Sequence, residues 1–98
     1  MAKDLTKCDW VVTIDDLEED GEEIFKLSSM DKEEVRARLV DKAYKIMEEY
    51  KRGGRDTSLW KVRSYKGYSG IIFVELESNF ISVTSLTAMP YVWLPELK

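Results

Sequence analysis

The spacing of apolar and polar residues predicts two short strands in the first third of the chain. Residues 10–14 (WVVTI) and 24–28 (IFKLS) are rich in the β-branched and aromatic side chains typical of strands. The segment between them is strongly acidic and contains Gly21, which can adopt the positive φ that a turn requires. We therefore expect a β-hairpin with an acidic tip.

A single amphipathic helix should follow the hairpin. Asp31 and Glu34 have the spacing of a capping box. One apolar face then recurs at helical spacing, made of Val35, Leu39, Ala43, Ile46, Met47 and Tyr50. Gly53 and Gly54 end the pattern, with two cationic residues just before them. The sequence predicts a helix over residues 32–51.

The second half of the chain has the pattern of a strand-rich region. Strands are expected at 58–65, 71–76 and 80–86, with a tight turn at 77–79 between the last two. The tail at 90–95 is apolar but bracketed by prolines, which suits an edge strand or a docked arm. The predicted fold is a single α+β domain over residues 1–98, in the order β-β-α-β-β-β, with the helix packed on one face of an antiparallel sheet.

Charge is distributed unevenly along the chain. The net charge is −4 over 98 residues. Residues 1–50 hold 15 acidic and 8 basic side chains, a balance of −7, whereas residues 51–98 hold 4 and 7, a balance of +3. No apolar stretch has the length of a membrane span, the N-terminus lacks the apolar core of a signal peptide, and Cys8 is the single cysteine. These features favour a cytoplasmic protein.

The residues needed for common enzyme chemistry are missing from the sequence. It contains no histidine, which is the commonest general base and metal ligand near neutral pH. No glycine-rich phosphate loop is present, and the carboxylate pairs occupy a loop tip where their surroundings are alike. We expect a protein that is not an enzyme and that holds no metal and no cofactor.

The acidic hairpin is the first candidate for a binding function. Seven of the nine residues from 15 to 23 are acidic, namely Asp15, Asp16, Glu18, Glu19, Asp20, Glu22 and Glu23. Closely spaced carboxylates resemble the charge density of a nucleic-acid backbone and suit a basic groove on a protein. The leading hypothesis is a non-catalytic module that binds a protein partner through these residues, with nucleic-acid-binding proteins among the candidate partners.

Two alternatives use other parts of the chain. The basic region at 51–66 would let Arg52, Arg55, Lys61 and Arg63 contact nucleic acid directly. The aromatic tail, with Tyr91 and Trp93, and an exposed edge strand would instead let the protein assemble with itself as a homodimer or structural subunit.

The layout resembles that of small accessory proteins encoded by bacterial viruses and mobile elements, including inhibitors of the anti-CRISPR type. The similarity lies in the strand at 10–14, the acidic turn at 15–23, the capped helix at 31–50 and the strand-rich, aromatic second half. The resemblance implies an inhibitor that occupies a basic surface of a host or defence protein in the host cytoplasm. It assigns no residue, because no diagnostic motif carries it.

Overall fold

A computed structural model of the chain describes residues 8–17, 21–66 and 70–91. It has the predicted order β-β-α-β-β-β. The elements are β1 (Cys8–Asp16), β2 (Gly21–Met30), α1 (Lys32–Arg52), β3 (Trp60–Lys66), β4 (Ile72–Ser78) and β5 (Ile81–Pro90). The predicted fold class, an antiparallel sheet with one helix on it, is confirmed.

The five strands form one sheet in the order β2-β1-β5-β4-β3, and every neighbouring pair is antiparallel. The last strand therefore lies at the centre and joins the N-terminal hairpin to the β3–β4 hairpin. Strands β2 and β3 form the two edges. Because Asp16 pairs with Thr84 and Trp60 pairs with Ser78, the tip of the first hairpin and the β4–β5 turn lie at the same end of the sheet.

Helix α1 begins and ends as the sequence predicts, within one residue. The Asp31 side chain accepts a hydrogen bond from the Glu34 backbone at 2.8 Å, and the Glu34 side chain accepts one from the Asp31 backbone at 3.1 Å. The helix ends at a Gly53 cap, and Gly54 takes a φ of 99°. The C-terminus of the helix lies at the end of the sheet that carries the hairpin tip, where Tyr50 contacts Asp16.

The hydrophobic core lies between α1 and one face of the sheet. Val35, Leu39 and Ala43 of the helix are buried against sheet residues that include Val12, Val74 and Leu86. A smaller cluster at the acidic end of the sheet joins Trp60, Leu76 and Val83 to the last turns of the helix. The opposite face of the sheet, called the open face below, carries the alternate side chains of each strand, such as Lys61 and Arg63. Within the described ranges, no helix is both long enough and apolar enough to cross a membrane.

Four local predictions differ from the structure. The acidic turn predicted over 15–23 is shorter, because Asp15 and Asp16 belong to β1 and residues 21–23 belong to β2, and Gly21 does not have the positive φ expected of it. These strand carboxylates therefore lack the alike loop-tip surroundings that were predicted.

Glu77 and Ser78 belong to β4, so the turn is Asn79–Phe80, with both residues at positive φ (50° and 72°). Pro90, the first residue of the predicted tail, ends the central strand β5, where its missing N–H matters little because the pairing stops there. For the rest of the tail, an edge strand or a docked arm stays a prediction. The first residues of the predicted strand at 58–65 precede β3, which begins at Trp60. Residues 67–69 of the predicted turn and the rest of the tail, 92–98, lie outside the described residues.

Candidate binding site

The register of the first hairpin divides its acidic residues between the two faces of the sheet. Asp15 pairs with Glu22, and these two side chains belong to the open face. Asp16 pairs with Gly21 and faces the helix side, as does Glu23 opposite Ile14. The other three predicted residues, Glu18, Glu19 and Asp20, lie outside the described ranges.

Asp15 and Glu22 form a cross-strand pair of like charges. Both are exposed, and the other direct neighbour of Asp15, on β5, is the uncharged Ser85. Like charges directly opposite each other in an antiparallel pair destabilise the sheet. The hairpin therefore carries an electrostatic cost at this position that none of its direct partners on β1, β2 or β5 offsets.

Asp16 is held in place from the helix. The Tyr50 hydroxyl lies 2.9 Å from each of the two carboxylate oxygens of Asp16 and donates to them. Tyr50 also packs against Trp60, with ring centroids 5.3 Å apart. This contact joins the hairpin to the last turn of α1 and fixes the orientation of one carboxylate.

A groove of about 530 Å³ separates the hairpin from the second half of α1. We call it the groove, and among the described residues its lining is Ile14, Asp16, Gly21, Glu22, Glu23, Lys42, Ile46, Glu49, Tyr50, Gly53, Arg55 and Thr84. Four of these are acidic and two are basic. Three of the seven predicted acidic residues therefore line one concave site, together with Glu49 from the helix.

The four predicted basic residues do not gather on one face. Arg52 is the last residue of α1 and is exposed, while Arg55 stacks over Tyr50 and Trp60, with its guanidinium carbon 5.7 and 5.2 Å from the two ring centroids. Lys61 and Arg63 belong to the open face of β3. The structure thus places Arg55 in the wall of the groove, away from the two strand residues.

The open face of β3 and β4 carries a hydrogen-bonded network that was not predicted. Arg63 Nε lies 2.8 Å from Glu77 Oε1, and the Tyr65 hydroxyl lies 3.2 Å from one oxygen of Glu75 and one of Glu77. Phe73 packs against the Tyr65 ring, with centroids 5.4 Å apart. The guanidinium of Arg63 is therefore paired with Glu77 on the surface of the sheet, which reduces the positive charge that it presents to a ligand.

This network shifts the pKa values of its members in the directions expected for mutual stabilisation. The pKa of the Glu77 carboxyl lies below its ordinary value, first because of the hydrogen bond that it shares with Glu75, and then because of Arg63 and Tyr65. The same Glu77 contact raises the pKa of the Arg63 guanidinium, and burial, followed by Glu77, raises that of the Tyr65 hydroxyl. The ionised forms of Glu77 and Arg63 are therefore favoured together.

Neither a metal site nor an activated nucleophile is formed by the described residues. No three of their acidic or cysteine side chains converge as metal ligands would. Burial, followed by the charge of Asp9, raises the pKa of the Cys8 thiol, which keeps it in the less reactive protonated form.

Exposed apolar side chains lie at the same end of the sheet as the acidic hairpin. Phe80, Leu59 and Ile81 are 83%, 71% and 70% exposed. Phe80 also has a φ of 72°, a left-handed conformation that is uncommon for a bulky residue. This end of the molecule combines charge with uncovered apolar surface.

Sequence reasoning assigned eight of the twelve described lining residues to no site, namely Ile14, Gly21, Lys42, Ile46, Glu49, Tyr50, Gly53 and Thr84. Gly21 was assigned only to the turn of the hairpin. Tyr50 was assigned only to the apolar face of the helix. Compared with protein-family models, with curated proteins and with the solved structures, the chain finds no match in any of the three.

Proposed function

We propose that this protein is a non-catalytic binding module whose acidic hairpin docks on a basic surface of a protein partner, in the manner of a small inhibitor. The observation that carries the proposal is the cross-strand pair of Asp15 and Glu22. Its repulsion weakens the free protein, and a cationic partner surface would remove that cost on binding.

Hydrogen bonds at both ends of the hairpin favour a docking surface that is ordered before it binds. Tyr50 holds Asp16, and the Ser29 backbone N–H donates to the Asp9 carboxylate at 3.0 Å at the other end of the hairpin. A surface that is already ordered loses little conformational entropy when it binds.

The exposed apolar residues at the same end also suit a protein partner. Protein interfaces combine aromatic and aliphatic anchors with charged rims. Phe80 and Ile81 would supply anchors of this kind beside the acidic hairpin. We therefore favour a protein over a nucleic acid as the partner, in keeping with the net charge of −4 and with the use of Arg63 in an internal ion pair.

A charge-reversal experiment tests the proposal. In the variant Asp15→Lys/Glu22→Lys, one like-charge pair replaces another, so the stability of the hairpin should change little. The control Glu33→Lys/Glu48→Lys makes the same change in net charge on exposed positions of α1. Each protein is immobilised, incubated with a bacterial lysate and washed at low and high salt, with and without nuclease.

We expect wild type and control to retain the same protein after nuclease treatment and to release it at high salt. The hairpin variant should lose it at every salt concentration while keeping a native circular dichroism spectrum. Equal capture by the hairpin variant would contradict the proposal. Recovery of nucleic acid, or loss of the bound protein after nuclease, would instead favour a nucleic-acid-binding role for Arg52, Arg55, Lys61 and Arg63.

A further inference from the structure

The floor of the groove contains a buried hydroxyl without a partner. Thr84 lines the groove, its side chain is 0% exposed, and its Oγ1 has no hydrogen-bond partner within the described part of the chain. A buried polar atom left unpaired destabilises a folded protein. A ligand in the groove that donates a hydrogen bond to Thr84 Oγ1 would satisfy this atom.

The described lining of the groove has more acidic than basic residues. Its described lining holds the carboxylates of Asp16, Glu23 and Glu49 and the two cations Lys42 and Arg55, whereas Glu22 lines the groove with its side chain on the open face. In this part of the molecule, a ligand with positive charge is therefore favoured over an anion.

Between the charged residues, the groove is lined by apolar side chains and by glycines. Ile14, Ile46 and the ring of Tyr50 provide a surface for a methylene chain. Gly21 and Gly53 contribute no side chains to the lining, and a Cβ atom added at Gly21 would have no atom within 4 Å. The groove thus has room for an extended side chain with an apolar stem.

We propose that the groove binds one arginine side chain of the protein partner. The stem of that side chain would lie on Ile14 and Ile46, and its guanidinium would donate to the surrounding carboxylates and to Thr84 Oγ1. A guanidinium has five N–H donors in one plane, which suits several acceptors on different walls better than a single ammonium does. This inference rests on the proposed protein-binding function and assigns the groove a distinct role in it.

The blocking variant Gly21→Leu tests the groove directly. Its side chain enters open space, and Gly21 lies at the start of a strand without a left-handed φ, so the fold should tolerate the change. The matched control is Thr13→Leu, which adds bulk to the open face of the neighbouring strand. The probe is N-acetyl-arginine methylamide, and its citrulline counterpart is the uncharged equivalent of nearly the same shape.

Amide chemical shifts of uniformly labelled protein are followed as each probe is added. For wild type and Thr13→Leu, we expect saturable shifts at Ile14, Gly21, Glu49 and Thr84 with the arginine probe and none with the citrulline probe. Gly21→Leu should weaken arginine binding by at least about tenfold, equivalent to about 1.4 kcal/mol. A lysine probe should bind more weakly than arginine.

Absence of saturable arginine shifts in the groove, equal binding of the citrulline or lysine probe, or undiminished binding to Gly21→Leu would each overturn this inference. These outcomes are separate from the test of the hairpin. If arginine fails to bind but partner capture still depends on Asp15 and Glu22, the proposed function stands without the groove. If arginine binds but capture ignores the hairpin charges, the proposed function fails while the groove remains a cation site.

Discussion

Two pairs of carboxylates on the open face of the same sheet differ in what surrounds them. Glu75 and Glu77 lie two positions apart on the same face of β4 and both contact the Tyr65 hydroxyl, while Arg63 pairs with Glu77 at 2.8 Å. Asp15 and Glu22 oppose each other across β1 and β2, and the remaining direct neighbour of Asp15 is a serine.

The comparison separates carboxylates that serve the fold from carboxylates that work against it. The β4 pair lies beside a cation and a hydroxyl donor, so its charge is used within the molecule. Asp15 and Glu22 oppose each other with like charge, so a cation that neutralises them has to come from another molecule. This contrast is the reason for proposing a binding role for the hairpin and a structural role for the β4 network.

Reversing the charge of Glu77 should have the largest effect on stability. Glu77→Lys removes the ion pair with Arg63 and places an ammonium directly opposite Lys61. We expect the free energy of unfolding to fall by about 1 kcal/mol, a modest value because water screens a pair at the sheet surface. Urea unfolding of wild type and variant at the same pH measures the difference.

The control for that experiment is Glu48→Lys, the same substitution on an exposed position of α1. It changes the net charge equally but breaks none of the open-face contacts. If both variants lose the same stability, the β4 network contributes nothing specific, and the contrast between the two carboxylate pairs disappears.

The same substitution at Glu22 should raise the free energy of unfolding instead of lowering it. Glu22→Lys converts the like-charge pair with Asp15 into an attractive cross-strand pair, so we expect stability to rise by about 0.5 kcal/mol. Partner capture should weaken at the same time, because the basic partner surface now meets a cation. Urea unfolding and the lysate experiment are done on the same preparation.

A loss of stability in Glu22→Lys would show that Glu22 already has a stabilising contact in the folded protein. The pair of Asp15 and Glu22 would then resemble the β4 pair, and the proposed function would lose the observation on which it rests. If Glu22→Lys is more stable than wild type and still captures the partner, the repulsion between Asp15 and Glu22 has no part in binding.

The parts of the fold predicted from the sequence are those governed by neighbouring residues. The capping box at Asp31 and Glu34 fixed the start of α1, and Gly53 fixed its end, since these signals act over a few residues. The central position of β5 was not predicted, because strand order depends on pairing between distant segments. The Asn79–Phe80 turn was misplaced because a bulky aromatic residue rarely adopts positive φ.

The candidate site was predicted in composition but not in arrangement. The acidic residues were identified from their density, whereas their division between two faces follows from the pairing of β1 with β2. Tyr50 lies 34 positions from Asp16 in sequence, so nothing local indicates their hydrogen bond. Thr84 and Thr87 have similar surroundings in the sequence, and only the fold places Thr84 beneath the groove.

The smallest expected effect concerns pH and tests whether Glu77 is stabilised as an ion. Because the folded pKa of Glu77 lies below the ordinary value, its contribution to stability is fully present above the ordinary pKa of glutamate, about 4.3. The contribution is lost as the pH falls through the lower, folded value. Wild type should therefore exceed Glu77→Gln in stability at pH 6, and this advantage should shrink steadily towards pH 3.

Urea unfolding of both proteins at intervals between these pH values measures the difference directly, and other groups that titrate alike in both proteins cancel. A constant difference between the two curves would mean that Glu77 stabilises the sheet through packing or a neutral hydrogen bond. A difference that grows at low pH would mean that the carboxylate is unfavourable in the fold. A constant difference would leave Glu77 without an electrostatic role, and a growing difference would place it with Asp15 and Glu22. A shrinking advantage would show that contacts within the molecule stabilise the charge of Glu77.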